Sequence, residues 1–300
     1  MRIAILGSRG RLGAALLKRW SDPATAGPLA GSIATVEGFA RPELDLLNPK
    51  TITKCLDKKK PFDWVINCAA QTNVDACERQ PEAARLANTV AARAVAERCA
   101  KIGARLIHIS TDYVFDGRQR EPYDEDASPS PLGIYGQSKA DGEFGVLAAL
   151  PKALVARVSW VFGPEKPSFI DMLLSRALGH DQIAAVADKW STPTYTSDLA
   201  DWLGALIAAD APGGMYHLCN AGACTWREYG EHALRTADAL GIPVKTTTVA
   251  PLKLADMEAF VAERPVYTVM STQHFTAVTK IAPRPWEDAV RDYLRDHPPC

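Results

Sequence analysis

Two side chains with the chemistry of an acid–base pair stand four residues apart in the sequence, Tyr135 and Lys139. At this spacing both side chains lie on the same face of a helix. A phenol with an ordinary pKa of about 10 exchanges protons poorly at neutral pH, and a neighbouring ammonium group would lower that pKa. The pattern therefore predicts a proton donor tuned by a lysine, although the same spacing also occurs by chance in helices.

A glycine-rich turn near the N-terminus could hold phosphate groups. It reads Gly7-Ser8-Arg9-Gly10-Arg11-Leu12-Gly13 and lies between an apolar run and a helical stretch. In that context glycines allow a tight turn and the close approach of a pyrophosphate, which free N–H groups and the positive end of a helix dipole would bind. We predict that these residues bind a nicotinamide dinucleotide. The alternative is a strand-to-helix turn without a ligand.

Two hydroxyl side chains, Ser110 and Thr111, end an apolar run that predicts a buried strand. In open α/β sheets, ligands bind beyond the carboxyl ends of the strands. A hydroxyl at that position can hydrogen-bond a carbonyl or alcohol oxygen as charge develops on it. Together with the glycine turn and the Tyr-x-x-x-Lys pair, it predicts a site for hydride and proton transfer.

The residues after the second predicted strand bear on the choice of nicotinamide. Sites selective for NAD place an acidic residue there, whereas Glu37 lies within the strand pattern and Arg41 falls where the strand should end. Arg41, with Arg9, could neutralise a 2′-phosphate. We therefore expect NADPH, with NADH as the alternative; Arg41 could equally be a solvated surface arginine.

The elements that must position these groups alternate between strand-like and helical patterns. Such alternation predicts an α/β fold, a Rossmann-type doubly wound parallel sheet with a smaller α/β substrate-binding lobe. Residues 1–162 are expected to form the dinucleotide-binding domain and residues 163–300 mainly the lobe, with about 196–219 returning to the first domain. A single long helix is expected over residues 81–101, and a short lobe strand over residues 246–249.

Composition and charge exclude several classes of function. The 300 residues carry 34 Lys plus Arg and 35 Asp plus Glu, a net charge of −1 that gives no reason to expect nucleic acid or anionic membrane as a partner. No apolar run approaches about 18 residues, so we expect a cytoplasmic protein. The seven cysteines form no Cys-x-x-Cys pair, no histidine spacing is typical of zinc ligands, and His108 and His217 are interpreted as core residues.

Longer motifs resemble the dTDP-4-dehydrorhamnose reductase family of extended short-chain dehydrogenases/reductases. The similarity runs through residues 110–117, Ser-Thr-Asp-Tyr-Val-Phe-Asp-Gly, and continues to Tyr135 and Lys139. Further matching blocks are Val65-Ile66-Asn67-Cys68-Ala69-Ala70-Gln71-Thr72, Val74-Asp75, Asn88, Arg157-Val158-Ser159-Trp160, Pro193-Thr194-Tyr195 and Arg264-Pro265. The resemblance covers nearly the whole chain in the family's order.

This resemblance implies hydride transfer from the nicotinamide to C4 of a deoxy-4-ketohexose carried on a nucleoside diphosphate. By analogy, Tyr135 would donate the proton, Lys139 would hold the ribose and tune Tyr135, and Thr111 would orient the carbonyl. The further cofactor-binding residues are then expected to be Asp45, Leu46, Cys68, Ala69, Ala70, Thr72, Asn88 and Ser110. Trp160 would border the nicotinamide and sugar pocket, and Val74 and Arg264 would contact the sugar and the diphosphate.

Some positions depart from the family's pattern. Ser168 stands where most members carry Asn, which puts that sugar or nucleotide contact in doubt, and Cys68 replaces a smaller residue. Ala15 occupies the place of a glutamate that magnesium-using dimers carry, so we expect no metal and a monomer or weak homodimer. The segment Asp188-Lys189-Trp190-Ser191 also differs from the usual form, which suggests an altered substrate lobe.

Two other functions share these features. A nucleotide-sugar dehydratase or epimerase would keep the glycine turn and Tyr-x-x-x-Lys, but a dehydratase needs an Asp-Glu pair after the threonine, and this chain has Asp112-Tyr113. A non-catalytic, NADP-binding regulatory subunit similar to the methionine adenosyltransferase β subunit is the third interpretation. Retention of Thr111, Tyr135 and Lys139 favours the reductase.

Overall fold

A computed structural model describes residues 1–298. Cys300, one of the scattered cysteines, lies outside the described residues. The strands are β1 (Arg2–Leu6), β2 (Thr35–Phe39), β3 (Trp64–Asn67), β4 (Arg105–Thr111), β5 (Leu154–Val158), β6 (Val161–Phe162), β7 (Ile183–Val186), β8 (Trp190–Ser191), β9 (Thr194–Tyr195), β10 (Gly214–Leu218), β11 (Cys224–Thr225) and β12 (Val249–Leu252). The α-helices are α1 (Arg11–Ser21), α2 (Pro49–Leu56), α3 (Val74–Arg79), α4 (Pro81–Arg85), α5 (Ala91–Ile102), α6 (Ile134–Ala149), α7 (Phe169–Gly179), α8 (Thr196–Ala208), α9 (Trp226–Ala239), α10 (Gln273–Thr279) and α11 (Trp286–Asp296).

Six strands form the main sheet in the order β10-β5-β4-β3-β1-β2, and every neighbouring pair is parallel. Short apolar runs such as Arg2–Leu6 suit this position because helices bury both faces of the sheet. The connections reverse direction between β1 and β3, and α/β sheets bind their ligands at such a point. The predicted α/β fold with a doubly wound parallel sheet is confirmed.

Two hydrophobic layers lie on the two faces of this sheet. Helices α1 and α8 pack on one face, where Leu16, Trp20 and Leu203 are buried. Helices α2 and α5 pack on the other face, with Ile52 and Val95 in the layer. Because both faces are covered, only the edges and the ends of the strands remain open to a ligand.

The second half of the chain forms a smaller cluster of helices α7, α9 and α11 around strand β7. Helix α8 and strand β10 lie between these elements in sequence, but they belong to the main layers: α8 packs on α1 and β10 pairs with β5. The division of the chain into domains at residue 162 stays a prediction.

Two local expectations from sequence were wrong. The helix expected over residues 81–101 is interrupted by a π-helical turn, Leu86–Val90, between α4 and α5. The strand expected over residues 246–249 begins only at Val249, because pairing with Ile183 of β7 sets its register. Helices α3 and α10 had not been predicted.

Candidate active site

A groove of about 1000 Å³ runs across the carboxyl ends of β1 to β5. Most of the predicted site residues line it: Gly7, Arg9, Gly10, Arg11, Leu12, Gly13, Arg41, Asp45, Leu46, Cys68, Ala69, Ala70, Thr72, Val74, Ser110, Thr111, Tyr135, Lys139 and Trp160. The fold therefore brings together, in one cavity, residues that are up to 153 positions apart in the chain (from Gly7 to Trp160).

The glycine turn is shaped to accept a group at the start of α1. Gly7 has a left-handed φ of +82°, and a Cβ there would lie 2.8 Å from the backbone nitrogen of Ala69. A Cβ on Gly13 would overlap the carbonyl oxygen of Gly7. The turn itself closes through the N–H of Gly10, which donates to Gly7 O at 2.8 Å. Only glycines allow these backbone segments to pack so closely.

The first turn of α1 fits a phosphate. Its N-cap residue, Gly10, supplies no side-chain hydrogen bond, and the turn contains no acidic residue. The first N–H groups of a helix have no partners within the helix, and the helix dipole makes this end positive. A pyrophosphate bound there would satisfy these donors.

A buried hydroxyl further along the groove also fits a ligand. Ser110 is 3% exposed, and among the described residues its Oγ is one of the few buried polar side-chain atoms without a hydrogen-bond partner. Buried polar atoms are rarely left unpaired in native proteins, so this hydroxyl is suited to a partner in the groove. The glycine turn and Ser110 together fit a dinucleotide lying across the strand ends.

Tyr135 and Thr111 meet at the centre of the groove. Tyr135 belongs to the first turn of α6, and Thr111 is the last residue of β4. Burial raises the pKa of Tyr135, and hydrogen bonding by Thr111 partly opposes that rise. The phenol is thus fully protonated at neutral pH, which is the state required of a proton donor.

Lys139 lies one turn after Tyr135 and points into the sheet. Its Nζ donates to the carbonyl oxygen of Ile109 at 2.6 Å and lies 3.3 Å from Nε2 of His108. Burial lowers the pKa of Lys139 to about 8. The expected lowering of the Tyr135 pKa by this lysine is not found: burial raises that pKa, and the lysine Nζ is directed to Ile109 and His108.

Helix α6 is held in place by a polar contact beneath the site. Asn88, in the π-helical turn, donates to Oγ of Ser138 at 3.0 Å and to the carbonyl oxygen of Gln71 at 3.0 Å, and it accepts from the N–H of Gln71 at 2.8 Å. Asn88 is 1% exposed and does not line the groove, so its role as a cofactor contact stays a prediction that this geometry does not favour. Its side chain joins the loop after β3 to α6, a contact that the sequence did not indicate.

Two arginines lie at the end of the groove beside β2. The guanidinium of Arg9 donates to the carbonyl oxygen of Arg41 at 3.1 Å, and the side chain of Arg41 is exposed. Glu37 is paired instead with Arg2 at 2.7 Å, on the strand and away from the groove. The end of β2 therefore offers positive charge where a 2′-phosphate would lie.

An aromatic wall closes the other end. Trp160 has a positive φ of 44°, a conformation that non-glycine residues rarely adopt and that often marks functional positions. Its ring packs against Phe169 at 5.8 Å and Trp226 at 5.6 Å between centroids. Val74, the first residue of helix α3, also lines the groove. The apolar surface suits the face of a deoxysugar or a nicotinamide.

Arg264 and Ser8 lie outside the groove lining. The guanidinium of Arg264 forms two bonds with the carboxylate of Asp75, at 2.7 and 3.0 Å, and Phe260 stacks on it at 3.8 Å. Because Arg264 is paired with Asp75 and does not line the groove, its contact with a diphosphate stays a prediction. Ser8 is buried behind the turn, where its side chain faces Gly38.

Sequence reasoning missed the part that Asp112 plays. Its Oδ2 accepts hydrogen bonds from Thr268 at 2.6 Å and from Ser159 and Ser191 at 3.0 Å each, and its Oδ1 accepts from Thr111 at 3.2 Å. The carboxylate thus fixes Thr111 from behind and joins β4 to the substrate lobe. Only its adjacency to Thr111 could have indicated this.

Other lining residues were also not predicted from sequence: Ala40, Leu44, Leu47, Gln71, Gln80, Ala83, Ala87, Ile109, Tyr113, Val158, Val161 and Lys166.

Arg11 was predicted as a phosphate contact, but its guanidinium donates to the carbonyl oxygens of Val161 and Pro167, at 3.1 and 2.7 Å. It ties the start of α1 to the substrate lobe.

Two of the residues that differ from the family's pattern, Ser168 and Lys189, form defined contacts in the structure. Ser168 is the N-cap of α7 and forms a capping box with Asp171. Lys189 is 2% exposed, donates to the carbonyl oxygen of Pro265 at 2.9 Å and has its pKa lowered to about 8 by burial.

Across residues 1–298, no cluster of three or more His, Cys, Asp or Glu is placed to hold a metal ion, and no helix is long and apolar enough to span a membrane.

Comparisons with known proteins agree with this geometry. The model of the family described as RmlD substrate binding domain matches residues 1–298. A dTDP-4-dehydrorhamnose reductase of Mycolicibacterium smegmatis is 35% identical over 97% of this chain and 84% of its own length. A dTDP-4-keto-6-deoxy-D-glucose reductase of Streptomyces niveus is 32% identical over 96% of this chain and 95% of its own.

A solved structure gives the same result. The dTDP-4-dehydrorhamnose reductase of Bacillus anthracis in complex with NADP superposes with a TM-score of 0.88, at 29% identity and over 99% of both chains. The match of the family model, the full-length relatives and the shared fold confirm the expectation raised by the motifs. The chain belongs to the dTDP-4-dehydrorhamnose reductase family.

Proposed function

We propose that this protein reduces the C4 keto group of a deoxyhexose carried on dTDP, with NADPH as the hydride donor. The observation that carries the proposal is the meeting of Thr111, Tyr135 and Lys139 in the groove that begins at the glycine turn. The sugar we propose is dTDP-4-dehydro-L-rhamnose, which would become dTDP-L-rhamnose.

Three residues of the site would each have one role in the reduction. The single hydrogen of the Thr111 hydroxyl, which points at Asp112 in this structure, would turn to the C4 oxygen of the ketone and orient the carbonyl. Tyr135, which burial keeps protonated, donates its phenolic proton to that oxygen as negative charge develops. Lys139 holds the cofactor ribose and lies one helical turn from Tyr135. The nicotinamide supplies the hydride when it is bound.

Arg41 and Arg9 support the choice of NADPH. They place two guanidinium groups at the end of β2, and Glu37 is engaged by Arg2 rather than facing the groove. Guanidinium groups bind phosphate by charge-assisted hydrogen bonds. The related Bacillus anthracis enzyme was crystallised with NADP, which agrees with this preference.

The relatives act on two different ketosugars, so the test must distinguish them. Purified protein would be mixed with NADPH and, in separate reactions, with enzymatically generated dTDP-4-dehydro-L-rhamnose or dTDP-4-keto-6-deoxy-D-glucose. Loss of nicotinamide absorbance measures turnover, and NMR of the product gives the configuration at C4. Turnover confined to the glucose-configured ketone would overturn the rhamnose assignment. Absence of turnover with either ketone, with NADPH bound, would overturn the reductase.

Two half-buried phenols in the groove make the proton donor testable. The rings of Tyr113 and Tyr135 lie 5.7 Å apart between centroids, and both have a raised pKa. If Tyr135 is the donor, Tyr135→Phe lowers kcat by about 10² to 10⁴-fold, the usual contribution of a general acid. Tyr113→Phe, which removes the same hydroxyl from the neighbouring ring, should cost much less. The reverse order would assign the proton to Tyr113.

We further propose that the protein acts in the cytoplasm, without a metal ion, as a monomer or weak homodimer. Ala15 lies on α1 with 6% of its surface exposed and has no group that could bind a metal ion. Sedimentation at increasing protein concentration, with and without magnesium, tests this. A tight dimer that dissociates on addition of a chelator would contradict it.

A further inference from the structure

His108 lies within β4, two residues before Ser110, and the reaction described above gives it no role. The ring is 1% exposed and stands between strand β3 and helix α6. Its Nδ1 lies 3.0 Å from Nδ2 of Asn67, and its Nε2 lies 3.3 Å from Nζ of Lys139. The imidazole therefore links a buried amide to the lysine of the active site.

Asn67 determines which ring nitrogen carries the hydrogen. Its Oδ1 accepts from the backbone N–H of Ala69 at 3.2 Å, so its NH₂ group is the one that faces His108. An NH₂ group can only donate, and Nδ1 must therefore be the bare, accepting nitrogen. A neutral imidazole carries one hydrogen, which the network places on Nε2.

The resulting Nε2–H points at Lys139. An ammonium group has three donors and no acceptor, whereas a neutral amine has a lone pair that can receive this hydrogen. A second direction of Nζ is already used by the carbonyl oxygen of Ile109. Full protonation of Lys139 would thus oppose the His108 N–H, and moving that hydrogen to Nδ1 would break the bond with Asn67.

The other charged groups around the pair do not cancel this effect. Glu143, on the same helix, faces Lys139 and favours its ammonium form, but its carboxylate is engaged by Arg157 of β5 at 2.7 Å. Cys68, after β3, is the other titratable group facing Lys139, and burial raises the pKa of its thiol to about 12. Burial also holds the pKa of His108 well below its ordinary value, so an imidazolium does not form.

We propose that His108 is a positioning residue for the reduction: anchored by Asn67, it presents an N–H to Lys139 Nζ and makes the lysine ammonium give up its proton more readily than a solvated lysine does. Lys139 keeps its remaining N–H for a ligand hydroxyl in the groove. The kinetic consequence rests on the proposed function, whereas the assignment of the hydrogen does not.

The first test determines which ring nitrogen of His108 carries the hydrogen, and it needs no substrate. Nitrogen-15 NMR of labelled histidines distinguishes a protonated ring nitrogen from a bare one, and the signals of His108 are those that remain when each of the other five histidines is replaced by Gln in turn. We expect Nε2–H with a bare Nδ1 and no imidazolium between about pH 6 and pH 9, a range that brackets the ordinary histidine and buried-lysine titrations. A hydrogen on Nδ1, or an imidazolium in that range, would overturn the proposal.

The second test uses pH profiles of kcat/KM. In His108→Gln an amide carbonyl can accept from the ammonium and no imidazole N–H opposes it, so the alkaline limb that reports Lys139 should move up by about one pH unit. At neutral pH, below the limb in both proteins, we expect kcat to change less than about twofold and KM for the sugar to stay unchanged, because the ammonium form of Lys139 already dominates there. A purely structural role would not move the limb.

His217→Gln is the matched control. His217 is also fully buried on a strand of the same sheet, but it contacts Arg157 and the carbonyl oxygen of Ser271 and not Lys139. The alkaline limb of the kcat/KM profile of His217→Gln should lie at the same pH as that of wild type. A His108→Gln limb that coincides with that of wild type would overturn the proposal, and if this variant does not fold, the NMR result decides. A wild type that reduces no ketosugar would defeat the proposed function and leave the NMR test intact.

Discussion

Arg157 of β5 and Glu143 of α6 form a two-bond ion pair inside the molecule, with nitrogen–oxygen distances of 2.7 and 3.0 Å. Their side chains are only 3% and 4% exposed. The pair joins the helix that carries Tyr135 and Lys139 to the strand that leads to Trp160. Because neither charge has access to water, each depends on the other for its stability.

We expect Glu143→Gln to lower the free energy of unfolding by about 3 kcal/mol, because removing one partner leaves the other charge buried without compensation. Chemical denaturation measures the loss. Adding Arg157→Met to the first change should recover part of it, since an apolar side chain needs no counter-charge. Glu82→Gln, which breaks the exposed pair with Arg85, is the control and should change stability little. A loss as small as that of the control would show that the buried pair is not needed for stability.

The second prediction concerns the arginine beside β2. Arg41→Ala should raise KM for NADPH by about 10 to 100-fold, the value of one charge-assisted hydrogen bond to phosphate, and should leave KM for NADH nearly unchanged. Steady-state kinetics with the two cofactors measure the selectivity. Arg118→Ala is the control, because it removes an exposed arginine, with 84% of its side chain accessible, that does not line the groove. It should leave both KM values unchanged. Equal losses with both cofactors would remove Arg41 from the phosphate site.

Much of the site could be predicted because its residues follow strands directly. The turn after β1, the loop after β3 and the hydroxyls after β4 converge on one edge of a parallel sheet, so local motifs are sufficient to place them together. Tyr135 and Lys139 are close because of helical spacing alone. For these positions, sequence order and secondary structure determine the geometry.

Contacts between distant segments could not be predicted in this way. Arg264 is a plausible diphosphate ligand by its charge, yet its partner is Asp75, 189 positions away. Asn88 lies on a π-helical turn that its alanine-rich context does not indicate, and this turn directs its side chain to Gln71 instead of the groove. Which polar group each side chain meets is decided by tertiary packing, and no periodicity in the sequence records it.

The Asp75–Arg264 pair leads to a prediction on pH. The Arg264 guanidinium and two backbone N–H groups lower the pKa of Asp75 below its ordinary 3.8. A group whose pKa is lower in the folded state stabilises the protein above its unfolded pKa and loses that contribution as the pH falls through the folded pKa. Asp75→Asn should therefore cost about 2 kcal/mol at neutral pH, the value of a hydrogen bond to a charged group, and progressively less below about pH 4.

Urea denaturation of wild type and Asp75→Asn over a series of pH values measures this dependence. Asp181→Asn changes an exposed carboxylate and is the control, for which we expect the two stability curves to run parallel. If the Asp75→Asn difference stayed constant down to strongly acidic pH, the ionised carboxylate would not be the source of the stability. If the variant also binds the sugar nucleotide more tightly, Arg264 has been released to contact the diphosphate.

The last prediction concerns the glycine turn itself. In Gly13→Ala the added methyl would overlap the carbonyl oxygen of Gly7, so the turn must open to accommodate it. The N–H groups of the first turn of α1 would then no longer converge on a pyrophosphate, and NADPH should bind at least tenfold more weakly, the equivalent of about 1.4 kcal/mol. Fluorescence titration with NADPH measures the affinity. Gly179→Ala adds the same methyl where no atom beyond its own helix and chain neighbours lies within 4 Å, and it should leave the affinity unchanged. If Gly13→Ala bound NADPH as tightly as this control while keeping its fold, the close approach of α1 to the turn would not be required for the cofactor.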